Sequence, residues 1–119
     1  MGEDVIKTKS FLFAIRIVNL YKILISRNEY VMSKQILRSG TSVGANIRES
    51  KNAESKADFI HKLGISQKEA DETLYWLELL QATNYISNEE FLSLNNDGIE
   101  VLKLIKSIII TSKNNLKKT

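Results

Sequence analysis

Two stretches decide the fold. The first is Ile36-Leu37-Arg38-Ser39-Gly40-Thr41-Ser42-Val43-Gly44-Ala45-Asn46-Ile47-Arg48-Glu49, and the second is Glu69-Ala70-Asp71-Glu72-Thr73-Leu74-Tyr75-Trp76-Leu77-Glu78-Leu79-Leu80. In the first, Ile36, Gly40, Val43 and Ile47 fall at i, i+4, i+7 and i+11, one face of a helix. Residues 39 to 46 are nevertheless poor helix formers, and each glycine costs about 1 kcal/mol against alanine. A loop would satisfy that composition. The unbroken apolar phase favours a helix instead. Gly40 and Gly44 then sit one turn apart, where a neighbouring backbone can approach closely. The steric content of such small-residue spacing is best known from membrane dimers.

The second stretch belongs to a helix with two stripes. Phe59, Leu63, Ala70, Leu74 and Leu77 form one; Ile65, Glu72, Trp76 and Leu79 form another, roughly opposite. Two stripes need two partners. Trp76 is either an interface anchor or an aromatic filling the same core. Its acidic neighbours Glu69, Asp71, Glu72 and Glu78 scatter around the axis and make no general acid–base pair. They are expected to pair with bases on the second helix, such as Arg38 or Arg48, and Glu72 is expected to be partly buried and bonded across an interface. Buried pairs of that kind fix register more reliably than they add stability.

Outward from these stretches the spacing predicts four helices, at about 4–26, 31–52, 55–83 and 88–114. In the first, only Arg16, Asn19 and Lys22 are polar between Phe11 and Ile25. A helix apolar on nearly every side must be buried on nearly every side. A central position in a monomeric bundle would do this, and so would a subunit interface. The same excess on two more helices favours the interface. Arg27-Asn28-Glu29-Tyr30, Asn52-Ala53-Glu54 and Asn84-Tyr85-Ile86 are connections. Ser55 with Asp58, and Ser87 with Glu90, make capping boxes for the last two helices. Asn95-Asn96-Asp97-Gly98 looks like a turn, yet Phe91, Leu94, Gly98, Leu102, Ile105 and Ile109 keep phase through it. One helix with a weak or bent spot is expected, followed by a frayed basic tail from Lys113 to Thr119. Short connections imply an all-α, antiparallel up-down-up-down four-helix bundle.

The 119 residues make one domain, 1–119. There is no proline to break a helix and no cysteine for disulfides, thiolate chemistry or cysteine-held metals. That fits a cytoplasmic protein. Lys7 and Lys9 before an apolar run imitate a signal peptide, but Arg16, Asn19 and Lys22 interrupt the run and argue against a membrane span. Met1-Gly2 is not a myristoylation signal, because Ile6 stands where serine or threonine is wanted.

Chemistry finds little support. His61 is the single histidine. Asp58 and His61 have the i, i+3 spacing of one half of a bundle di-metal site, which needs the motif twice. No metal and no cofactor are expected. Gly40-Thr41-Ser42-Val43-Gly44 lacks the lysine and strand of a phosphate loop. A non-enzymatic protein is therefore expected. Binding is better supported: net charge is +3 and pI about 9.1. Lys9, Arg16 and Arg27 lie at i, i+7 and i+18, nearly one row. With Lys113, Lys117 and Lys118 they form a candidate phosphate-tracking ridge for RNA or DNA; a solvated helix face is the plainer reading. No aromatic side chains interleave with these bases.

On the two opening stretches the chain resembles the bacterial four-helix bundle proteins encoded in intervening sequences of 23S ribosomal RNA genes. That family also includes the accessory variability determinant of diversity-generating retroelements. The resemblance covers nearly the whole chain, and Asn95-Asn96-Asp97-Gly98 departs from it. It implies a homopentameric, barrel-like ring, and contacts with nucleic acid and with a partner protein such as a reverse transcriptase. The number five comes from the resemblance alone. The matching positions, Arg38, Gly40, Thr41, Ser42, Gly44, Asn46, Glu49, Glu69, Glu72, Thr73, Tyr75, Trp76 and Leu77, are implied to be structural. Gly40, Gly44, Ile65, Glu72, Trp76 and Leu79 are the candidates for helix packing and subunit contact. An adaptor that docks a partner protein, with no nucleic-acid role, is the alternative reading.

Overall fold

A computed structural model of the chain describes residues 2–118, with side chains described for residues 4–117. Four α-helices account for nearly all of it: α1 Gly2–Ser26, α2 Met32–Ser50, α3 Lys56–Ala82 and α4 Asn88–Lys118. Five residues join each helix to the next, too few to return the chain to its starting end. Neighbours therefore run antiparallel. Side-chain pairs confirm the direction: Ser66 reaches Val43 while Thr73 reaches Ser39, and Lys9 faces Glu100 while Arg27 faces Glu90. Helices contact only their neighbours around the square, in the order α1, α2, α3, α4 and back to α1. The result is a rod of 52 × 22 × 20 Å.

The core runs along the axis of this rod. Ile6, Phe13, Ile17, Leu20 and Leu24 enter it from α1; Ile36, Val43 and Ile47 from α2; Leu63, Ala70, Leu77 and Leu80 from α3; Leu94, Val101, Leu102, Ile105 and Ile109 from α4. Those from α2, Leu63, Ala70 and Leu77 of α3, and Leu94, Leu102, Ile105 and Ile109 of α4 belong to the stripes that the periodicity predicts, while Phe59, Leu74 and Phe91 of those stripes are only partly buried. Trp76 packs only partly against this core.

Helix α2 holds through its weak stretch because packing outweighs propensity. A methyl group at Gly40 would stand 2.7 Å from Ile17 Cγ2, and one at Gly44 3.4 Å from the Ser10 carbonyl oxygen. Gly40 thus lets α1 and α2 close on each other inside one protomer, whereas a methyl group at Gly44 would make an ordinary contact. The small hydroxyls around them find partners without leaving the core. Ser66 Oγ donates to the Val43 carbonyl at 2.8 Å and Thr73 Oγ1 lies 2.9 Å from Ser39 Oγ.

The ends of the helices follow local rules, one of which is not evident from spacing. Ser55 accepts from the Asp58 amide at 3.0 Å, and Ser87 and Glu90 exchange bonds of 3.1 and 2.7 Å. Helix α2 starts differently. Val31 offers no side-chain cap; Glu29, only 6% exposed, reaches forward and accepts from the amides of Val31, Met32 and Ser33. The residue read as part of a polar connection is a buried cap. Asn28 and Asn84 close α1 and α3 with φ of 64° and 67°. The bonds from Glu29 N to Leu24 O and from Tyr85 N to Leu80 O complete two Schellman-type ends.

Helix α4 bears out one expectation and corrects another. It does not break at 95–98: it is one continuous helix there, as the apolar phase predicts. Gly98 is there for packing: an added methyl would lie 2.7 Å from Leu74 Cδ2 and 3.2 Å from Phe13 Cζ. Nor does the helix stop at 114. It runs to Lys118, because no glycine or proline follows Gly98 to end it. The start of α1 at Gly2 rather than residue 4 and the limits of α2 at Met32 and Ser50 are smaller adjustments.

Candidate functional site

The bases predicted on α1 form a row, but not an open one. Lys9 Nζ lies 3.0 Å from Glu100 Oε1. Arg16 Nη1 lies 2.6 Å from Asp97 Oδ2, and its Nη2 donates to Ser93 Oγ at 2.8 Å. Arg27 makes a two-pronged pair with Glu90 at 3.1 and 3.0 Å and donates to the Tyr85 carbonyl oxygen at 2.7 Å. Each cation is matched by a carboxylate of α4. The row lies along the α1–α4 seam, where Lys9, Arg16 and Arg27 are paired and still partly exposed. The Arg27 hydrogen bond holds the Glu90 carboxyl below the usual range, and the same bond raises the Arg27 guanidinium.

The opposite flank of α4 is the cationic one. Lys103, Lys106, Lys113 and Lys117 stand at i, i+3, i+10 and i+14 and are all exposed. On a helix this spacing keeps them within about 80° of one another. Among the described residues none of the four is in an ion pair. Asp71 of α3 shares a shallow groove with Lys106 without pairing. The acids of α4 that could neutralise the ridge, Glu90, Asp97 and Glu100, are turned to α1. Lys113 and Lys117 therefore stand apart from the α1 row with which the sequence reading grouped them. The side chain of Lys118 lies outside the described residues. Lys103 and Lys106 were missed, although their spacing to the tail lysines is readable. At the same end of the bundle lie Arg48 and Lys51, where α2 ends, and Lys56, where α3 begins.

A second feature spans α2 and α3. Arg38 forks to Glu69 Oε2, at 2.8 Å, and to Glu72. Glu72 also accepts the Trp76 indole N–H at 3.0 Å, and Tyr75 meets Trp76 edge-on at 5.1 Å. The indole bond, then Arg38, holds the Glu72 carboxyl below the usual range; Glu72 in turn raises Arg38. The predicted pairing with Arg38 is therefore present. The Glu72 side chain keeps 35% of its surface exposed and is bonded within the protomer. Arg48 instead lines the groove between α1 and α2. Ile65, Trp76 and Leu79 stand half-buried along α3, away from the core stripe.

The outer face of α1 is apolar and uncovered. Phe11 is 57% exposed, Leu12 54%, and Val5 and Ile15 43%. Phe11 and Ala14 border the α1–α2 groove of about 390 Å³, with Lys7 and Arg48 also lining it. The hydroxyls there point home: Ser10 donates to the Lys7 carbonyl and Thr41 to the Leu37 carbonyl. They meet no base. Among the described residues no three metal-binding side chains converge, and His61 is exposed on α3. No helix among the described residues is long and apolar enough to cross a membrane.

A family model described as 23S rRNA-intervening sequence protein matches residues 3–107. Among solved structures, the chain is similar to a protein of unknown function from the S23 ribosomal protein family of Bacteroides thetaiotaomicron VPI-5482. The two are 62% identical, the match covers 92% of this chain and 98% of the other, and the TM-score is 0.91. No curated protein matches the chain.

Proposed function

This chain belongs to the family of 23S rRNA-intervening sequence proteins, and we propose that it is a non-enzymatic, multimeric protein that binds RNA or DNA through the basic flank of α4. The observation that carries this reading is the division of charge on α4. Glu90, Asp97 and Glu100 are paired along the α1 seam, while Lys103, Lys106, Lys113 and Lys117 face outward and, among the described residues, form no ion pair. Point charges on flexible stems suit the phosphate backbone and give no base discrimination. Multimeric assembly is supported by the bare apolar face of α1 and would multiply a ridge of modest affinity by avidity. A ring of five rests on the family resemblance alone. The non-enzymatic character is supported by hydroxyls bonded to their own backbone and by the lone exposed histidine.

Fluorescence anisotropy with labelled RNA and DNA, at low and at moderate salt, tests this. Binding that weakens as salt rises is the expected result; no binding at low salt contradicts it. The α1 face also favours a second reading, a surface for a partner protein such as a reverse transcriptase. Pull-down after nuclease treatment separates the two, since only a protein adaptor keeps its partner.

A further inference from the structure

We infer that the ridge on α4 takes the sugar-phosphate backbone of a double helix rather than a single strand. This deepens the nucleic-acid reading and rests on it. Three observations point to a duplex. The first is the shape of the ridge. Lys103 and Lys117 stand fourteen positions apart on unbroken helix, a line of about 21 Å at 1.5 Å per residue. A duplex is stiff over about 50 nm, so it meets a straight row of charges without losing conformational freedom. A single strand must be straightened to do the same.

The second is that, among the described residues, no aromatic side chain stands between the lysines of α4. Single strands are retained by stacking on aromatic side chains interleaved with the cations. The outer face of α4 has Ile99 and Ile110 among its lysines and no aromatic residue. Phe91, the aromatic of this helix, packs against the core. The exposed Phe11, Tyr30 and Tyr75 stand on α1, on the 27–31 connection and on α3. The third is the chemistry of the cations. All four are lysines, which lack the planar fork that reads base edges in a groove. Helix α4 packs against both α1 and α3, and its exposed lysines are placed to lie across a backbone.

The test is anisotropy on the full chain with a 20-base-pair RNA duplex, a DNA duplex of equivalent sequence, and each separated strand, from 50 to 200 mM salt. The duplexes should bind at least tenfold more tightly than their strands. Four neutralised phosphates per protomer give a slope of log affinity against log salt of about −3.6. The double variant K106E/K113E should lose at least tenfold in duplex affinity, while K34E, at the far end of the bundle, should lose little. K106Q/K113Q, matched to the parent in melting temperature, serves if the glutamate variant associates abnormally. A strand that binds as tightly as its duplex overturns the duplex inference and leaves nucleic-acid binding standing. Failure of every probe to bind overturns both. Duplex binding that K106E/K113E and K106Q/K113Q leave unchanged overturns the assignment to α4. Preference between the RNA and DNA duplexes supports the inference either way and identifies the source of the backbone.

Discussion

Three glycines in helices, given the same added methyl group, should respond with opposite signs. At Gly64 nothing lies within 4 Å of the new atom, so Gly64→Ala should gain stability by up to about 1 kcal/mol through helix propensity. At Gly40 the methyl meets Ile17 at 2.7 Å, and at Gly98 it meets Leu74 at 2.7 Å. At Gly40 the crowded atoms belong to the branched stem of Ile17, and overpacking there costs about 1–3 kcal/mol, so Gly40→Ala should melt lower; at Gly98 the nearest atom is the end of the flexible Leu74 side chain, so Gly98→Ala should lose less. Urea midpoints for the three variants check this. The same scale sets the acid response. Glu90 and Glu72 titrate below their unfolded values, so the unfolded chain binds more protons as pH falls. Their contribution is complete above the unfolded value near 4.3 and is lost as pH drops through the lower folded value. Unfolding free energy should therefore fall below about pH 4.3. E90Q, which no longer titrates, should show a shallower fall, its deficit against the parent shrinking in acid. Both carboxylates are about one third exposed, so water screens much of the effect.

At the scale of the helix, the instructive case is the start of α2. Glu29 accepts three amide hydrogens there, and a lost cap costs about 0.5–2 kcal/mol. Glu29→Ala should lower the melting temperature and raise hydrogen exchange at Val31, Met32 and Ser33 above that elsewhere. This cap was not legible, because a capping carboxylate three residues before the helical run has no fixed sequence signature. Ser55 and Ser87 were legible because theirs does. The helices themselves could be read because the apolar phase crosses Gly40, Gly44 and Gly98 without slipping. What the glycines touch, Ile17 and Leu74, depends on register between helices far apart in sequence. The same holds for charge. Arg16 and Asp97 are 81 positions apart, and the spacing of Lys9, Arg16 and Arg27 says that they align but not what faces them. Lys103 and Lys106, by contrast, could have been found from their spacing to Lys113 and Lys117.

For the whole molecule, the question is what covers α1. Its inner face fills the core while Phe11, Leu12 and Ile15 point to solvent, a contiguous apolar strip on a rod only about 20 Å wide. Strips of this kind mark association sites. The paired variant F11E/I15K should therefore lower the assembly state while the far-ultraviolet circular dichroism stays helical, since neither side chain belongs to the core. The measurement that bears most directly on this is the mass of the parent protein at micromolar concentration, by light scattering after gel filtration. A multiple of the 13.6 kDa chain mass is the result predicted here, and a homogeneous particle of a single chain would contradict it.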